Sequence, residues 1–402
     1  MKVLQVNTVY PNGSTGRIVA ELAEYTARQQ NARAMIAFGI GEEIHKQNLD
    51  AIRIGNPVER KLHAVIRKWF DAEGYASRRA TRQLIHICWN TKPDIVHLHN
   101  LHGCYLNLKL WFTFLQKAGT PVIWTLHDCW PLTGHCAHFS YCGCELWKTQ
   151  CYNCPQQLSY PVCTGLDGSK RNYRLKKKLF TSLQNVILAM PCRWMEEIVQ
   201  KSFMKDFPTR VIYNGVDLQK FRRLPSDIKT QHGINAEHLL LAVASDWTER
   251  KGFTILHQLS DQLDDGYQIV ILGLSPEQKQ ALPGKILGLG KTASTEELCA
   301  WYSAADCFVN PTLEDTMPLV NLEAFACGTP VAVFDTGGCA EAVTDACGKV
   351  VKQGDVQGLT DAIRQICESG HDYTPACISQ AGRFAMRNMA EAYFQLYQEV
   401  AG

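Results

Sequence analysis

Asp315-Thr-Met-Pro-Leu-Val-Asn-Leu-Glu323 runs directly into Ala-Phe-Ala-Cys-Gly328-Thr-Pro330-Val-Ala-Val-Phe334. The order reads as loop, short helix, turn and buried strand. Pro318 suits a first helical position, where its missing N–H costs nothing, and Gly328 suits the stop before the apolar run. The spacing predicts a helix of about ten residues. Its apolar stripe is Leu319, Leu322 and Ala326, with Glu323 along the stripe's edge, where a carboxylate needs a partner. Met317 cannot cap the helix, so its first amides are open to an anion or a hydroxyl-rich ligand. Two carboxylates beside such a helix start suit a sugar nucleotide, although an acid pair flanking an ordinary crossover helix would look the same.

An acid, seven residues, Glu323 and then Ala-Phe-Ala-Cys-Gly-Thr-Pro-Val resembles the signature of the retaining GT-B glycosyltransferases of family 4 (GT4). The resemblance implies that the first acid holds hydroxyls of the donor sugar and that Glu323 holds the nucleotide ribose. Glu314-Asp315-Thr-Met-Pro318 is similar to the polysaccharide-biosynthesis branch of that family, and leaves open whether Asp315 or Glu314 is the working acid. Donor contacts are then expected from Asp315, Thr316, Met317, Leu319, Val320 and Glu323.

The composition is that of an ordinary globular protein of two or three domains: 402 residues, 46% hydrophobic and 20% charged. A net charge of +2 gives no basic excess for nucleic acid. Met1 to Asn7 is too short and polar for a signal peptide, and no apolar run approaches the ~20 residues that span a bilayer. The expected location is the cytoplasm. The seventeen cysteines are accordingly expected as reduced thiols, metal ligands or small core residues.

Tyr10-Pro-Asn-Gly13-Ser-Thr-Gly16-Arg17 links a first strand to a helix. Such a loop can cradle a phosphate on its amides, or be a plain turn; it lacks the full dinucleotide-binding glycine spacing. In the family it resembles, this loop faces the donor pyrophosphate, which implies that role for Gly13, Gly16 and Arg17. From Val58 to Trp89 the pattern is helical, with Leu62, Val65, Ile66, Trp69 and Phe70 on one stripe and Arg60, Lys61, Arg67, Lys68, Arg78, Arg79 and Arg82 alongside. The stripe is expected to face the core with the basic side in water, the alternative being peripheral contact with an anionic membrane. Ser169 to Leu183, with Lys176 among its basic residues, repeats the pattern.

His99, His102, His127 and Asp128 stand where predicted parallel strands end, the usual place for ligand sites in open α/β sheets. His127-Asp128 before Trp-Pro resembles the family's acceptor-side histidine, which contacts the transferring sugar. Next, Cys136, Cys142, Cys144, Cys151 and Cys154 crowd into nineteen residues. A C-x-x-C pair at Cys151 and Cys154, completed by Cys136 with Cys144 or Cys142, would make a closed structural zinc site, or the thiols stay metal-free. Resemblance to a recurring insert of the colanic-acid-type branch favours Cys144.

Asn214-Gly-Val-Asp217 resembles the family's crossover, which gives an N-terminal acceptor-side domain at 1–214 with a cysteine-rich insert at 129–163. A nucleotide-sugar domain follows at 215–380, and a final helix at 381–402 crosses back. Arg250-Lys251-Gly252, between a strand and a helix, is placed to neutralise a pyrophosphate and matches the family's phosphate-binding position, with Ser245 where an arginine is usual. The expected fold is α/β, GT-B, two doubly wound parallel-sheet domains facing across a cleft. The implied activity is retaining hexosyl transfer from a UDP- or GDP-sugar to a hydroxyl of a saccharide, free or lipid-linked. No cofactor is expected for catalysis, since Lys251 and Arg250 hold the leaving group; His127, Asp315 and Lys251 are the expected catalytic residues. The rival readings are a sugar-nucleotide epimerase of the same fold and a non-catalytic zinc-dependent assembly factor.

Overall fold

A computed structural model describes all 402 residues, which divide into two compact units: Met1–Tyr213 with Met389–Gly402, and Asn214–Asn388.

The first unit is built on eight strands: β1 (Lys2–Tyr10), β2 (Arg33–Gly41), β3 (Ile44–Lys46), β4 (Leu49–Arg53), β5 (Ile95–Leu98), β6 (Val122–Thr125), β7 (Val186–Met190) and β8 (Thr209–Val211). Their order is β3-β4-β2-β1-β5-β6-β7-β8, parallel throughout except for the β3–β4 hairpin at the edge. Helix α1 (Gly13–Arg28) buries Val19 and Ala23 against Ala34, Ile36 and Phe38 of β2. Helices run on both faces of such a sheet, so its central strands β1 and β5 are buried on both sides, with Gln5, Asn7 and His97 as buried polar residues among apolar ones. The last helix begins at Met386, not 381, and its C-terminal part lies with this unit. Tyr393 and Tyr397 anchor it, bonding Thr125 at 2.9 Å and His97 at 2.7 Å.

The second unit has β9 (His238–Val243), β10 (Tyr267–Leu272), β11 (Ile286–Gly288), β12 (Cys307–Asn310), β13 (Val331–Asp335) and β14 (Gly348–Lys352), ordered β11-β10-β9-β12-β13-β14 and all parallel. Leu240, Ile269, Ile271, Val309 and Phe334 meet Leu256, Leu259 and Ile363 from two covering helices. The order in which strands are added reverses between β9 and β12, with β10 and β11 laid to one side and β13 and β14 to the other, and ligands of doubly wound sheets gather at such a switch point.

The region Val58–Trp89 departs from expectation twice. It forms two helices, α2 (Pro57–Phe70) and α3 (Arg78–Thr91), separated where Asp71 turns left-handed at the end of α2. The α2 stripe does not face the core: Leu62, Val65, Trp69 and Phe70 are exposed, and His63 is the buried residue. In the helix Ser169–Phe180, Lys176 is likewise turned inward, where its ammonium donates to the carbonyls of Trp130 at 2.6 Å and Thr133 at 3.1 Å. That burial pulls Lys176 down to about 7. No helix is long and apolar enough to cross a membrane.

Candidate active site

In the second unit, the loops after β9 and β12 meet. Arg250-Lys251 ends a short 3-10 turn, and Gly252 follows at φ +78°, where an added Cβ would stand 2.1 Å from the Pro311 carbonyl oxygen. Only glycine lets this turn dock on the neighbouring strand end. Leu313 N–H donates to Arg250 O at 2.7 Å, and the Arg250 guanidinium donates to Glu314 O at 2.5 Å. The Lys251 ammonium forms an ion pair with Asp315, each side chain about one-fifth exposed. From the other side, Gly337 hugs Asp315: its φ is +55° and a Cβ would lie 1.9 Å from Asp315 O. Glu314 is buried, so the carboxylate within reach of solvent is that of Asp315.

The helix after Asp315 spans Leu319–Ala326, eight residues rather than about ten, with Pro318 at its N-cap rather than inside it. No side chain caps it, and Gly328 closes it at φ +83°. Asn321 through Ala326 are all buried, so Glu323 sits in the interior, 4% exposed, and not on an edge. The hydroxyl of Tyr302, from the helix Thr295–Ala304, donates to Glu323 at 3.3 Å. Thr316 and Met317 are buried, and Leu319 and Val320 are half-buried at the helix start.

In the first unit, Gly13 and Gly16 open α1 directly after β1; Gly13 is exposed at φ +78°, and Arg17 is an exposed residue of the same helix. His127 follows β6 and bonds His99 after β5, Nε2 to Nδ1 at 2.9 Å. Sequence reasoning missed what sets its proton. Gln5 in β1 donates its amide to Val19 O at 3.3 Å, which turns its Oε1 toward His99 Nε2 at 3.1 Å. An amide oxygen only accepts, so His99 carries its proton on Nε2 and accepts on Nδ1, and His127 must donate from Nε2. Burial pushes His127 down to about 4, opposed by Asp128, so the ring is neutral and its Nδ1 lone pair is an acceptor. Asp128 belongs to a second pair, with His102 Nε2 at 2.8 Å; burial alone would raise it, but His102 and the Trp130 amide hold it at about 2.

The cysteine insert gathers around Cys154. Its thiol is hydrogen-bonded to that of Cys136, which brings Cys154 down to about 7, while Cys144 and Cys151 stand close enough for their charges to act on Cys136. Gly134 N–H donates to the Cys151 sulfur at 3.2 Å, but burial outweighs that bond and pushes the Cys151 thiol up to about 11. Cys142 is exposed and bonds the Phe139 carbonyl. Four cysteines are a donor set that zinc accepts, but no three of these sulfurs lie within 4.8 Å of one another. The group whose ligand atoms all lie within 4.8 Å is instead His63, Glu73 and Cys104. That group is satisfied without a metal: Cys104 donates N–H and S–H to Glu73, and His63 bonds Ser77 and accepts from Gly74 N–H.

Two family models match the chain, Glycosyltransferase Family 4 over residues 15–220 and Glycosyl transferases group 1 over residues 237–369. The putative colanic acid biosynthesis glycosyl transferase WcaC of Escherichia coli is 24% identical over the whole of both chains. The putative teichuronic acid biosynthesis glycosyltransferase TuaC of Bacillus subtilis is 25% identical over 44% of this chain and 46% of its own. Among solved structures, sucrose-phosphate synthase from Thermosynechococcus elongatus superposes with a TM-score of 0.72 at 17% identity, covering 100% of this chain and 99% of that one. The Anabaena protein Alr3699/HepE, solved with UDP-glucose, gives 0.66 at 16% identity, covering 99% and 100%. The fold is GT-B.

Proposed function

The chain belongs to the glycosyltransferases described by the Glycosyltransferase Family 4 model, and on that premise we propose that it transfers a hexosyl group from a UDP- or GDP-sugar to a saccharide hydroxyl in surface polysaccharide biosynthesis, with retention at the anomeric carbon. The observation that carries this reading is the pairing of Lys251 with Asp315 at the switch point of the second sheet. A cation and a carboxylate on adjoining strand ends match a donor that is anionic at its diphosphate and hydroxylic at its sugar.

In this reading Lys251 and Arg250 take the diphosphate, Asp315 takes hydroxyls of the sugar, and the start of the helix Leu319–Ala326, with Thr316 and Met317 before it, supplies amides. Glu323 takes the ribose, its second oxygen steadied by Tyr302. The bond from the anomeric carbon to the diphosphate oxygen breaks with its electron pair leaving on the nucleotide, so charge stabilisation by Lys251 and Arg250 is the main catalytic demand. Those two cations can supply it without a divalent ion. In the first unit, His127 offers its Nδ1 acceptor to a sugar hydroxyl, and the Gly13–Gly16 loop offers amides at the start of α1. The acceptor is a saccharide, carried on a lipid in the cell. A structural zinc held by Cys136, Cys144, Cys151 and Cys154 would cross-link the insert and take no part in transfer.

Incubation of the protein with a panel of UDP- and GDP-sugars and saccharide acceptors, read by proton NMR of the product's anomeric signal, tests the reading. Retention in a new glycosidic bond is expected. Conversion of the nucleotide sugar without an acceptor would point to an epimerase instead.

A further inference from the structure

Helix α2 is built inside out. Val58, Leu62, Val65 and Trp69 recur at i, i+4, i+7 and i+11, and at 3.6 residues per turn they fall within about 60° of one another. All four are in solvent, 76%, 61%, 53% and 54% exposed. The opposite side is polar and locked inward. Asn56 caps the helix at Glu59 N–H, Glu59 accepts from Arg79 N–H at 3.0 Å, and His63 bonds Ser77 at 2.8 Å and Gly74 N–H at 3.2 Å. Turning the stripe inward would break every one of these contacts. Contiguous apolar surface left outside in this way marks a surface with a partner.

The charge around the stripe says which partner. Lys61 and Lys68 are exposed along one edge of it. From residue 57 to residue 92 the chain carries eight lysines and arginines against three acids, while the whole chain is only +2. Two of those acids, Asp71 and Glu73, are buried, and the third, Glu59, is bonded to the start of α3. That start brings exposed Arg78, Arg79 and Arg82 alongside. The end of the cysteine insert extends the apolar strip: Thr164 and Leu166 N–H groups donate to the Lys68 and Trp69 carbonyls, and the Leu166 side chain is 68% exposed.

We propose that this outward face of α2, with Leu166, seats the protein on an anionic phospholipid surface. An apolar stripe edged by lysines is what an interfacial helix needs: the stripe enters the acyl boundary while the ammonium groups meet phosphate headgroups. A second copy of the chain is the poorer match, because a two-fold contact would set the same lysines against each other. The inference stands apart from sugar transfer and is tested without any substrate.

The experiment is co-sedimentation of the full-length protein with phosphatidylcholine vesicles, with and without phosphatidylglycerol. Binding is expected to the anionic vesicles, weakening as salt is raised. Leu62→Glu/Trp69→Glu should reduce it at least tenfold, and Lys61→Glu/Lys68→Glu should remove the preference for anionic lipid. Both variants should keep the wild-type thermal unfolding midpoint, since all four side chains are exposed. Absence of vesicle binding by the wild-type protein would overturn the proposal. So would equal binding to neutral and anionic vesicles, or a concentration-dependent dimer that the Leu62→Glu/Trp69→Glu variant abolishes.

Discussion

Nε2 of His127 lies 2.9 Å from Nδ1 of His99, and the proton between them belongs to His127 because Gln5 has fixed His99 from the other side. A side chain in the first strand thereby decides which nitrogen of His127 is left as an acceptor. Nitrogen-15 spectra of histidine-labelled protein should show His127 as the neutral Nε2–H form down to about pH 5. With its pKa lowered from 6.5 to about 4, His127 takes up a proton more readily when unfolded. Its contribution to stability is therefore complete above pH 6.5 and is lost as pH falls from 6.5 toward 4. Transfer should accordingly show no acidic limb near 6.5 arising from this ring. Gln5→Leu frees the tautomer and should slow turnover about fivefold, roughly one hydrogen bond's worth, with nucleotide affinity unchanged. A His127 that titrates near 6.5 would contradict this.

Glu323→Gln should leave the fold intact, because Tyr302 can still donate to the amide oxygen. It should weaken nucleoside diphosphate binding by roughly 1.5–3 kcal/mol, the value of a charge-assisted hydrogen bond. Calorimetric titration reads this directly; unchanged affinity would place the ribose elsewhere. Tyr302→Phe should have a smaller effect in the same direction.

About one zinc per chain is expected by elemental analysis, and the metal should survive mild chelation. Cys151→Ser should lose it, and because the unpinned insert directly follows His127-Asp128 it should lose transfer as well, while nucleotide binding by the second unit persists. The Cys142→Ser protein should keep its zinc. A fully active, metal-free wild-type protein would return these thiols to packing.

Much of this architecture is legible in the chain, and its failures share a cause. Gly328 announces the end of the helix Leu319–Ala326, and Gly252 announces the turn that carries Arg250 and Lys251 after β9, because backbone conformation leaves local marks. Periodicity shows that α2 has a stripe but not which way it faces. That is decided by His63 and its partners Ser77 and Gly74, eleven or more residues away. Glu323 reads as an edge residue until Tyr302 is seen beside it on another helix. Gln5 lies within an apolar strand, where nothing local marks it as holding a histidine's tautomer. The short strands β3 and β14 carry too few apolar residues to show a period.

The ion pair of Lys251 with Asp315 holds the central claim, because a donor must meet both partners. Titration of the protein in EDTA with UDP and GDP, across wild type, Lys251→Ala, Asp315→Ala and the double variant, tests it most directly. Binding by the wild type is expected without added metal. Lys251→Ala should weaken it at least tenfold, both by losing the cation and by leaving the Asp315 carboxylate to repel the diphosphate. The double variant should recover part of that loss. No nucleotide binding by the wild-type protein, or equal affinity across all four, would contradict the account.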